Sequence, residues 1–203
     1  GTPDIASEMW ANAAAVAIDA AIQENRLVKL NPSPISGAGE GWMMSAAAAK
    51  AHPELKTIDD IIARPDLFPH PEDPSKGGLH TCPSGWGCQL STNNLFRGFD
   101  MEAAGWKLIE TGSGAGLDGS IAKASERGEN WLGYYWAPTT LAGKYNLKLV
   151  DFNSDFDQDH WDNCIVKPVE ECDNPKRSTW TKSEVVSLAQ VDFATRVPQV
   201  AAY

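Results

Sequence analysis

The chain has 203 residues, of which 42% are hydrophobic and 22% are charged, a composition typical of a folded globular protein. Its formal net charge is -10 and no stripe of Lys and Arg runs along it, which argues against nucleic acid and anionic membrane surfaces as partners. The longest apolar stretch, residues 11–22, is too short to span a bilayer and contains Asn12 and Asp19.

The first forty residues predict a strand, a helix and a loop. Residues 4–10 form the predicted strand, and the Ala-rich segment after it has apolar residues at helical spacing up to Leu27. Prolines and glycines between residues 31 and 41 predict a loop that ends the helix. Further along, Thr57 and Asp60 have the spacing of a capping box and predict the start of a short helix.

Predicted strands and helices alternate through the central part of the chain. In order, they are a helix at 91–96, a strand at 106–110, a helix at 117–127, a strand at 131–136, a helix at 138–145 and a strand at 147–152. The glycine-rich stretch 112–119 lacks the lysine of a phosphate-binding loop, so we interpret it as a tight turn between a strand and a helix. This alternation predicts an α/β fold with a mainly parallel sheet.

Four cysteines form two close pairs along the sequence. Cys82 and Cys88 enclose the segment CPSGWGC, and Cys164 and Cys172 enclose CIVKPVEEC. Neither spacing suits a metal finger, and both pairs lie in loops rich in Gly or Pro rather than in apolar runs. We expect two local disulfides and an oxidising compartment, and the alternative is four reduced, unrelated thiols.

Four of the eight tryptophans stand at positions that are unusual for core residues. Trp10 and Trp136 end predicted strands, Trp86 lies between two glycines inside the first cysteine pair, and Trp42 follows the glycine-rich loop. Indole faces that converge form an aromatic cage, which attracts quaternary or otherwise methylated ammonium groups. For each tryptophan taken alone, packing in the core is the alternative.

An acidic segment, DFNSDFDQDHWD, begins at the end of the last strand predicted in the central part. It places oxygen-bearing side chains at positions 1, 3, 5, 7, 9 and 12, a spacing that suits Ca²⁺. Phe156 occupies the position where an EF-hand has glycine, and no helix–loop–helix pattern flanks the segment. A structural calcium site and a solvated acidic loop are therefore both open. The predicted ligands are Asp151, Asn153, Asp155, Asp157, Asp159 and Asp162.

Four segments together resemble the glycine betaine/proline type of ABC-transporter substrate-binding proteins. They are DIASEMWANAAAVAIDAA, CPSGWGC, ENWLGYYWAPTTLAGKYNLKLV and DFATRVPQVAAY. The resemblance implies a two-lobe α/β architecture of the type II periplasmic-binding-protein class, with a ligand cleft. Residues 1–40 would belong to lobe 1, residues 41–180 would form lobe 2, and residues 181–203 would return to lobe 1. It further implies that the first lobe is incomplete in this chain.

The resemblance also assigns site residues. By position, Trp10, Trp86 and Trp136 match the family's tryptophans that enclose a trimethylammonium group, and Trp42 would form a fourth wall. Alternation along the first strand places Glu8 on the same face as Trp10. A carboxylate there favours a cation and repels the carboxylate of glycine betaine, so we expect choline or trimethylamine N-oxide to bind better. A solvated charge at a strand end is the alternative for Glu8.

The function that the resemblance implies is solute capture outside the cytoplasm. A periplasmic or secreted monomer would bind a small methylated-ammonium compound without any required cofactor and pass it to the membrane subunits of an ABC transporter. Two alternatives are a ligand-sensing domain fused to a membrane receptor and a secreted enzyme that acts on choline-like substrates. An enzyme is disfavoured because the four histidines lie in or beside loops, without a serine elbow or a metal motif around them.

Overall fold

The computed structural model describes the backbone of residues 3–201, and the side chains in that range except those of residues 12–16, 31–38, 183, 200 and 201. The chain forms two compact units. Unit 1 comprises Gly1–Gly39 and Thr181–Tyr203, and unit 2 comprises Glu40–Trp180.

Strands and helices alternate along most of the chain. In chain order they are β1 (Ile5–Trp10), α1 (Ala11–Gln23), β2 (Leu27–Met44), α2 (Ala46–Ala51), α3 (Ile58–Ile62), β3 (Gly77–His80), α4 (Gly87–Gly98), β4 (Trp106–Ile109), α5 (Gly114–Arg127), β5 (Leu132–Ala137), α6 (Thr140–Tyr145), β6 (Lys148–Leu149), α7 (Gln158–His160), β7 (Ser183–Gln190), α8 (Val191–Arg196) and α9 (Pro198–Ala201). Short 3₁₀ turns occur at Pro65–Leu67 and Val169–Glu171, and a π-helical turn occurs at Trp161–Ile165.

Unit 1 is built around strand β7. This strand pairs antiparallel with β1 on one side and with the first part of β2 on the other. Ile18 of α1 packs against Val186 and Leu188 of β7, and Met9 adds to this apolar cluster. The register of the β1–β7 pair shifts between Ala6 and Met9, which is the signature of a β-bulge.

Strand β2 differs from the loop predicted between residues 31 and 41. Its backbone stays paired with β7 through this segment, with register shifts between Leu30 and Ile35 and between Ile35 and Ala38. Proline lacks an N–H for the ladder, and strands accommodate it at irregular positions of this kind. The loop prediction was wrong because Pro and Gly interrupt the regular pairing here without ending the strand.

Unit 2 contains a sheet with the strand order β6-β2-β5-β3-β4. Strand β3 is parallel to both β4 and β5, whereas β6 is antiparallel to the end of β2. The prediction of a parallel sheet is therefore correct for the centre of unit 2 and wrong for unit 1. In a parallel sheet the carboxyl ends of the strands share one edge, where ligands of open α/β folds bind.

Buried apolar side chains on the strands and helices form the core of unit 2. The largest fully buried ones are Trp42, Ile58, Ile61, Leu79, Leu95, Met101, Trp106, Leu117, Ile121, Leu132 and Ile165. Polar caps define where the helices begin. The capping box of Thr57 and Asp60 is confirmed, Ser113 caps α5, and Thr139 caps α6 one residue after Pro138.

Both predicted disulfides, Cys82–Cys88 and Cys164–Cys172, are present. The second one closes a segment that Asn94 attaches to helix α4. The Asn94 side chain is fully buried, and its Nδ2 lies 3.1, 3.1 and 2.8 Å from the carbonyl oxygens of Cys164, Ile165 and Lys167. A single amide group therefore lies within hydrogen-bond distance of three carbonyls, which explains a polar residue inside this helix interface.

Replacing Asn94 tests this attachment. Asn94→Ala removes the side-chain donor from all three carbonyls, of which that of Cys164 keeps another donor, the Lys167 N–H, so we expect the free energy of unfolding to fall by about 2–4 kcal/mol. Asn94→Asp keeps the shape but turns a carboxylate toward carbonyl oxygens, so it should destabilise at least as much. Denaturant unfolding measures both variants, and a loss below about 0.5 kcal/mol for both would contradict the role assigned to Asn94.

Candidate functional site

Trp86 and Trp136 meet edge to face at the carboxyl edge of the sheet in unit 2. Their ring centroids are 5.7 Å apart and their planes are inclined by 66°. Trp86 is 40% exposed, which is unusual for a side chain of this size, and Trp136 is half-buried. We call these two residues the aromatic pair. Two indole planes at a steep angle form a corner whose faces can contact one small ligand from two sides.

Trp86 is positioned by the disulfide loop and by the start of α5. Its backbone N–H donates to the Pro83 carbonyl at 3.2 Å, and Gly85 before it has a φ of 89°, which favours glycine. Trp86 itself is the residue that precedes α4, so its side chain projects from the N-terminal end of this helix. A Cβ placed on Gly114 would lie 3.2 Å from the Cζ2 and Cη2 atoms of Trp86, so the indole edge rests against the first residue of α5.

Trp136 is positioned by the two tyrosines that precede it. The centroid of its ring lies 4.4 Å from that of Tyr135, with the planes inclined by 29°. The Tyr134 ring centroid is 6.1 Å away, at an interplanar angle of 33°. The Tyr135 hydroxyl donates to Asp118 Oδ1 at 2.8 Å, and the Tyr134 hydroxyl donates to Glu40 Oε2 at 2.7 Å. Burial and the Asp118 carboxylate raise the pKa of Tyr135 to about 12, and burial and Glu40 raise that of Tyr134 well above its usual value. Both phenols therefore stay protonated and keep these bonds at neutral pH.

Trp10 and Glu8 lie together at the end of β1 in unit 1. Trp10 Nε1 donates a hydrogen bond to Glu8 Oε1 at 3.1 Å. The two side chains thus share a face of the strand, as the alternation of the sequence predicted. Glu8 orients the indole of Trp10, a role that the sequence did not indicate.

Trp42 does not fit the predicted fourth wall of the cage. Its side chain is fully buried in the core of unit 2, against the rings of Phe99 and Phe152. Its Nε1 is 3.4 Å from Thr92 Oγ1. The residue belongs to strand β2, and its full burial leaves no indole face for a ligand.

Two basic groups near the aromatic pair in sequence are engaged elsewhere or neutral. Arg97 donates to Asn94 Oδ1 and to the Cys172 carbonyl, both at 3.0 Å. His80, at the end of β3, lies with Nδ1 3.0 Å from the Leu132 carbonyl, and burial lowers its pKa to about 4. At neutral pH the imidazole is uncharged, so neither group supplies a free cation for a ligand carboxylate.

The acidic loop does not gather its side chains around a point. Within residues 3–201, no group of three or more His, Cys, Asp or Glu side chains could hold a metal ion. Several of the predicted ligands have local partners instead. Asp157 caps α7 through the His160 N–H, Asp159 accepts from Asn163, Asp162 accepts from Gln158, and Asp151 accepts from the Asn153 N–H. Calcium in this loop stays a prediction that needs its own experiment.

Substitutions of Asp157 and Asp155 distinguish a helix cap from a calcium site. In the presence of a chelator we expect Asp157→Ala to lower the free energy of unfolding by about 1 kcal/mol through loss of the cap, and the exposed Asp155→Ala to leave it unchanged. Thermal unfolding with added Ca²⁺ then decides the calcium prediction. A rise in melting temperature for the wild type that Asp155→Ala abolishes would establish calcium binding, and equal melting with and without calcium would exclude it.

Comparison with known proteins identifies the class to which this fold and site belong. The profile of the substrate-binding domain of ABC-type glycine betaine transport systems matches residues 1–203. The chain belongs to this family, and the predicted resemblance is confirmed. Family members are substrate-binding domains and not enzymes, so the alternative of a secreted enzyme is wrong. No protein of curated function matches the sequence significantly.

Solved structures share the fold at low sequence identity. An ABC-transporter choline-binding protein in complex with choline has a TM-score of 0.65 and 16% identity, over 98% of this chain and 58% of that one. The glycine betaine/L-proline-binding protein ProX from Borrelia burgdorferi has a TM-score of 0.62 and 16% identity, over 95% and 58%. Lactococcal OpuAC in its closed form with glycine betaine has a TM-score of 0.59 and 15% identity, over 96% and 61%.

These matches confirm the predicted α/β architecture of the type II binding-protein class. This chain spans about three fifths of the length of each of the three structures. Within residues 3–201, no helix is both long enough and apolar enough to cross a membrane.

Proposed function

We propose that the chain captures a small methylated-ammonium compound and that the aromatic pair contacts its methyl groups. The observation that carries this proposal is the edge-to-face arrangement of Trp86 and Trp136 at the carboxyl edge of the sheet. Water solvates the methyl groups of such a cation poorly, whereas indole faces attract the positive charge spread over them. Each desolvated contact of this kind contributes about 2 kcal/mol.

Trp10, in unit 1, is proposed separately as a ligand-binding residue, because its segment is one of those that resemble the family. It stands at the end of a strand, as Trp136 nearly does, and Glu8 fixes its indole by accepting the hydrogen bond from Nε1. A fixed indole loses less conformational freedom on binding than a mobile one, so this bond supports a role in recognition. Trp42 is left out of the proposed cage because of its burial.

The biological role that we propose is delivery of the ligand to the membrane subunits of an ABC importer. The family description, which names ABC-type glycine betaine transport, supports this role. The two disulfides support a periplasmic or extracellular location, where such bonds persist. We expect a monomer that needs no cofactor. A ligand-sensing domain fused to a membrane receptor remains the alternative, and the complete gene decides between them by the presence or absence of a receptor segment.

Among methylated amines, we propose choline or trimethylamine N-oxide ahead of glycine betaine. Glu8 offers a carboxylate beside Trp10, which favours a hydroxyl donor or a protonated or water-bridged N-oxide over a ligand carboxylate. The engagement of Arg97 and the neutral state of His80 support the same order. Glycine betaine is the competing ligand, favoured by the backbone N–H groups at the start of α5, where Gly114 adjoins Trp86.

Calorimetric titration of the chain with choline, glycine betaine, trimethylamine N-oxide, carnitine and proline tests the proposed ligand class. We expect a methylated amine to bind and its neutral carbon isostere, 3,3-dimethyl-1-butanol for choline, to bind at least about tenfold more weakly, because the cage attracts charge as well as methyl groups. Trp86→Phe keeps an aromatic face and should retain more affinity than Trp86→Leu, which keeps only the apolar surface. Equal binding of choline and its neutral isostere would contradict a cation-binding cage.

Glu8 is tested by two substitutions that separate its charge from its hydrogen bond. Glu8→Gln keeps an acceptor for Trp10 Nε1 but removes the charge, so we expect weaker binding of choline or trimethylamine N-oxide and equal or stronger binding of glycine betaine. Glu8→Ala removes both and should weaken all of these ligands. Tight betaine binding that Glu8→Gln leaves unchanged would show that Glu8 does not select the ligand.

A further inference from the structure

We infer that helix α5 sets the geometry of the aromatic pair, with Gly114 and Asp118 as the positioning residues for Trp86 and Trp136. The binding consequence rests on the proposed function, whereas the effect on the pair itself does not. Trp86 lies at the end of a disulfide loop and Trp136 near the end of β5, so the two indoles come from separate elements. Helix α5 reaches both indoles. Gly114 adjoins the Trp86 ring, and Asp118 binds the hydroxyl of Tyr135, whose ring stacks on Trp136.

Gly114 provides the space into which the edge of the Trp86 indole fits. A Cβ at this position would stand 3.2 Å from two indole carbons, closer than the 3.4–4 Å of ordinary van der Waals contact. The backbone of Gly114 has no positive φ, so the requirement is for space and not for a special conformation. Any larger residue must push the indole away by a few tenths of an ångström or tilt its plane.

Among the glycines of residues 112–119, Gly114 is the one whose added Cβ would meet Trp86. Gly112 adopts a φ of 70° in the turn before the helix. A Cβ on Gly116 would overlap the backbone carbonyl of Thr111, so that position is fixed by the turn itself. A Cβ on Gly119 would meet nothing within 4 Å. Gly119 is therefore a matched control for Gly114 in the same helix.

Asp118 acts on Trp136 through Tyr135. It follows Gly114 by four residues and so lies on the same face of α5. Its Oδ1 accepts from the hydroxyl of Tyr135, which is almost fully buried and stacks on Trp136 at 4.4 Å. The bond fixes the plane of the tyrosine ring, and the stacking passes that orientation on to the indole.

The helix is rigid enough to serve as the common reference for both indoles. Leu117 and Ile121 are fully buried in the core of unit 2, and Trp131 Nε1 donates to Ser120 Oγ at 3.0 Å. The angle and spacing of the aromatic pair therefore depend on two side-chain positions of one anchored helix. A ligand with a trimethylammonium group needs that corner to stay at a fixed width, because contacts with an aromatic face weaken as the distance grows.

The test compares Gly114→Ala with Gly119→Ala, which add the same methyl group to the same helix. The first readout is the exciton couplet of the tryptophan pair in the circular dichroism of the ligand-free chain. The second is the dissociation constant of choline and of glycine betaine by calorimetry. We expect Gly114→Ala to change the couplet and weaken binding on the order of tenfold, and Gly119→Ala to change neither.

Asp118 is tested in the same way and supplies a second arm should Gly114→Ala fail to fold. Asp118→Ala removes the acceptor of the Tyr135 hydroxyl and should alter the couplet and weaken binding, whereas Asp118→Asn keeps an acceptor oxygen and should restore both. An unchanged couplet in Gly114→Ala and in Asp118→Ala would overturn the inference. If the wild type binds no methylated amine, the proposed function fails, and the couplets alone still decide the role of α5.

Discussion

Trp86 and Trp136 can meet edge to face only because neighbouring parallel strands end at the same edge of one sheet. Strand β3 leads through Cys82 into the disulfide loop that carries Trp86, and its neighbour β5 carries Trp136 near its last residue. The contact between the indoles joins two tryptophans that are 50 residues apart in the sequence into a corner with two π-faces. The candidate site in unit 2 depends on this constraint.

The charges around the corner favour a cation. Behind Trp136, the ring of Tyr135 separates the indole from the Asp118 carboxylate, and the raised pKa of this phenol keeps its proton on the tyrosine. Arg97 of α4 is used to attach the second disulfide segment to this helix. Net negative charge on the whole chain acts in the same direction, although salt screens this long-range part.

The sequence was sufficient to predict features that depend on local chemistry. The two disulfides, the capping box at Thr57 and the positions of Trp86 and Trp136 at the ends of elements follow from spacing and turn residues over a few positions. Trp42 was misassigned because the glycine-rich stretch before it looked like a loop, whereas strand β2 continues through Trp42 to Met44 and pairs there with β6. The supports of the aromatic pair depend on contacts between distant residues. Gly114 resembled any turn glycine, and only its distance to Trp86 gives it a role.

The most direct test of the central claim is the nuclear Overhauser effect between the methyl protons of a bound ligand and the indole protons of the chain. Selective labelling of tryptophan makes each ring identifiable when the wild-type spectrum is compared with those of Trp86→Phe and Trp136→Phe. The account predicts strong effects from the trimethylammonium protons of choline or glycine betaine to the rings of Trp86 and Trp136. Saturable binding with effects to other side chains and none to the aromatic pair would contradict it.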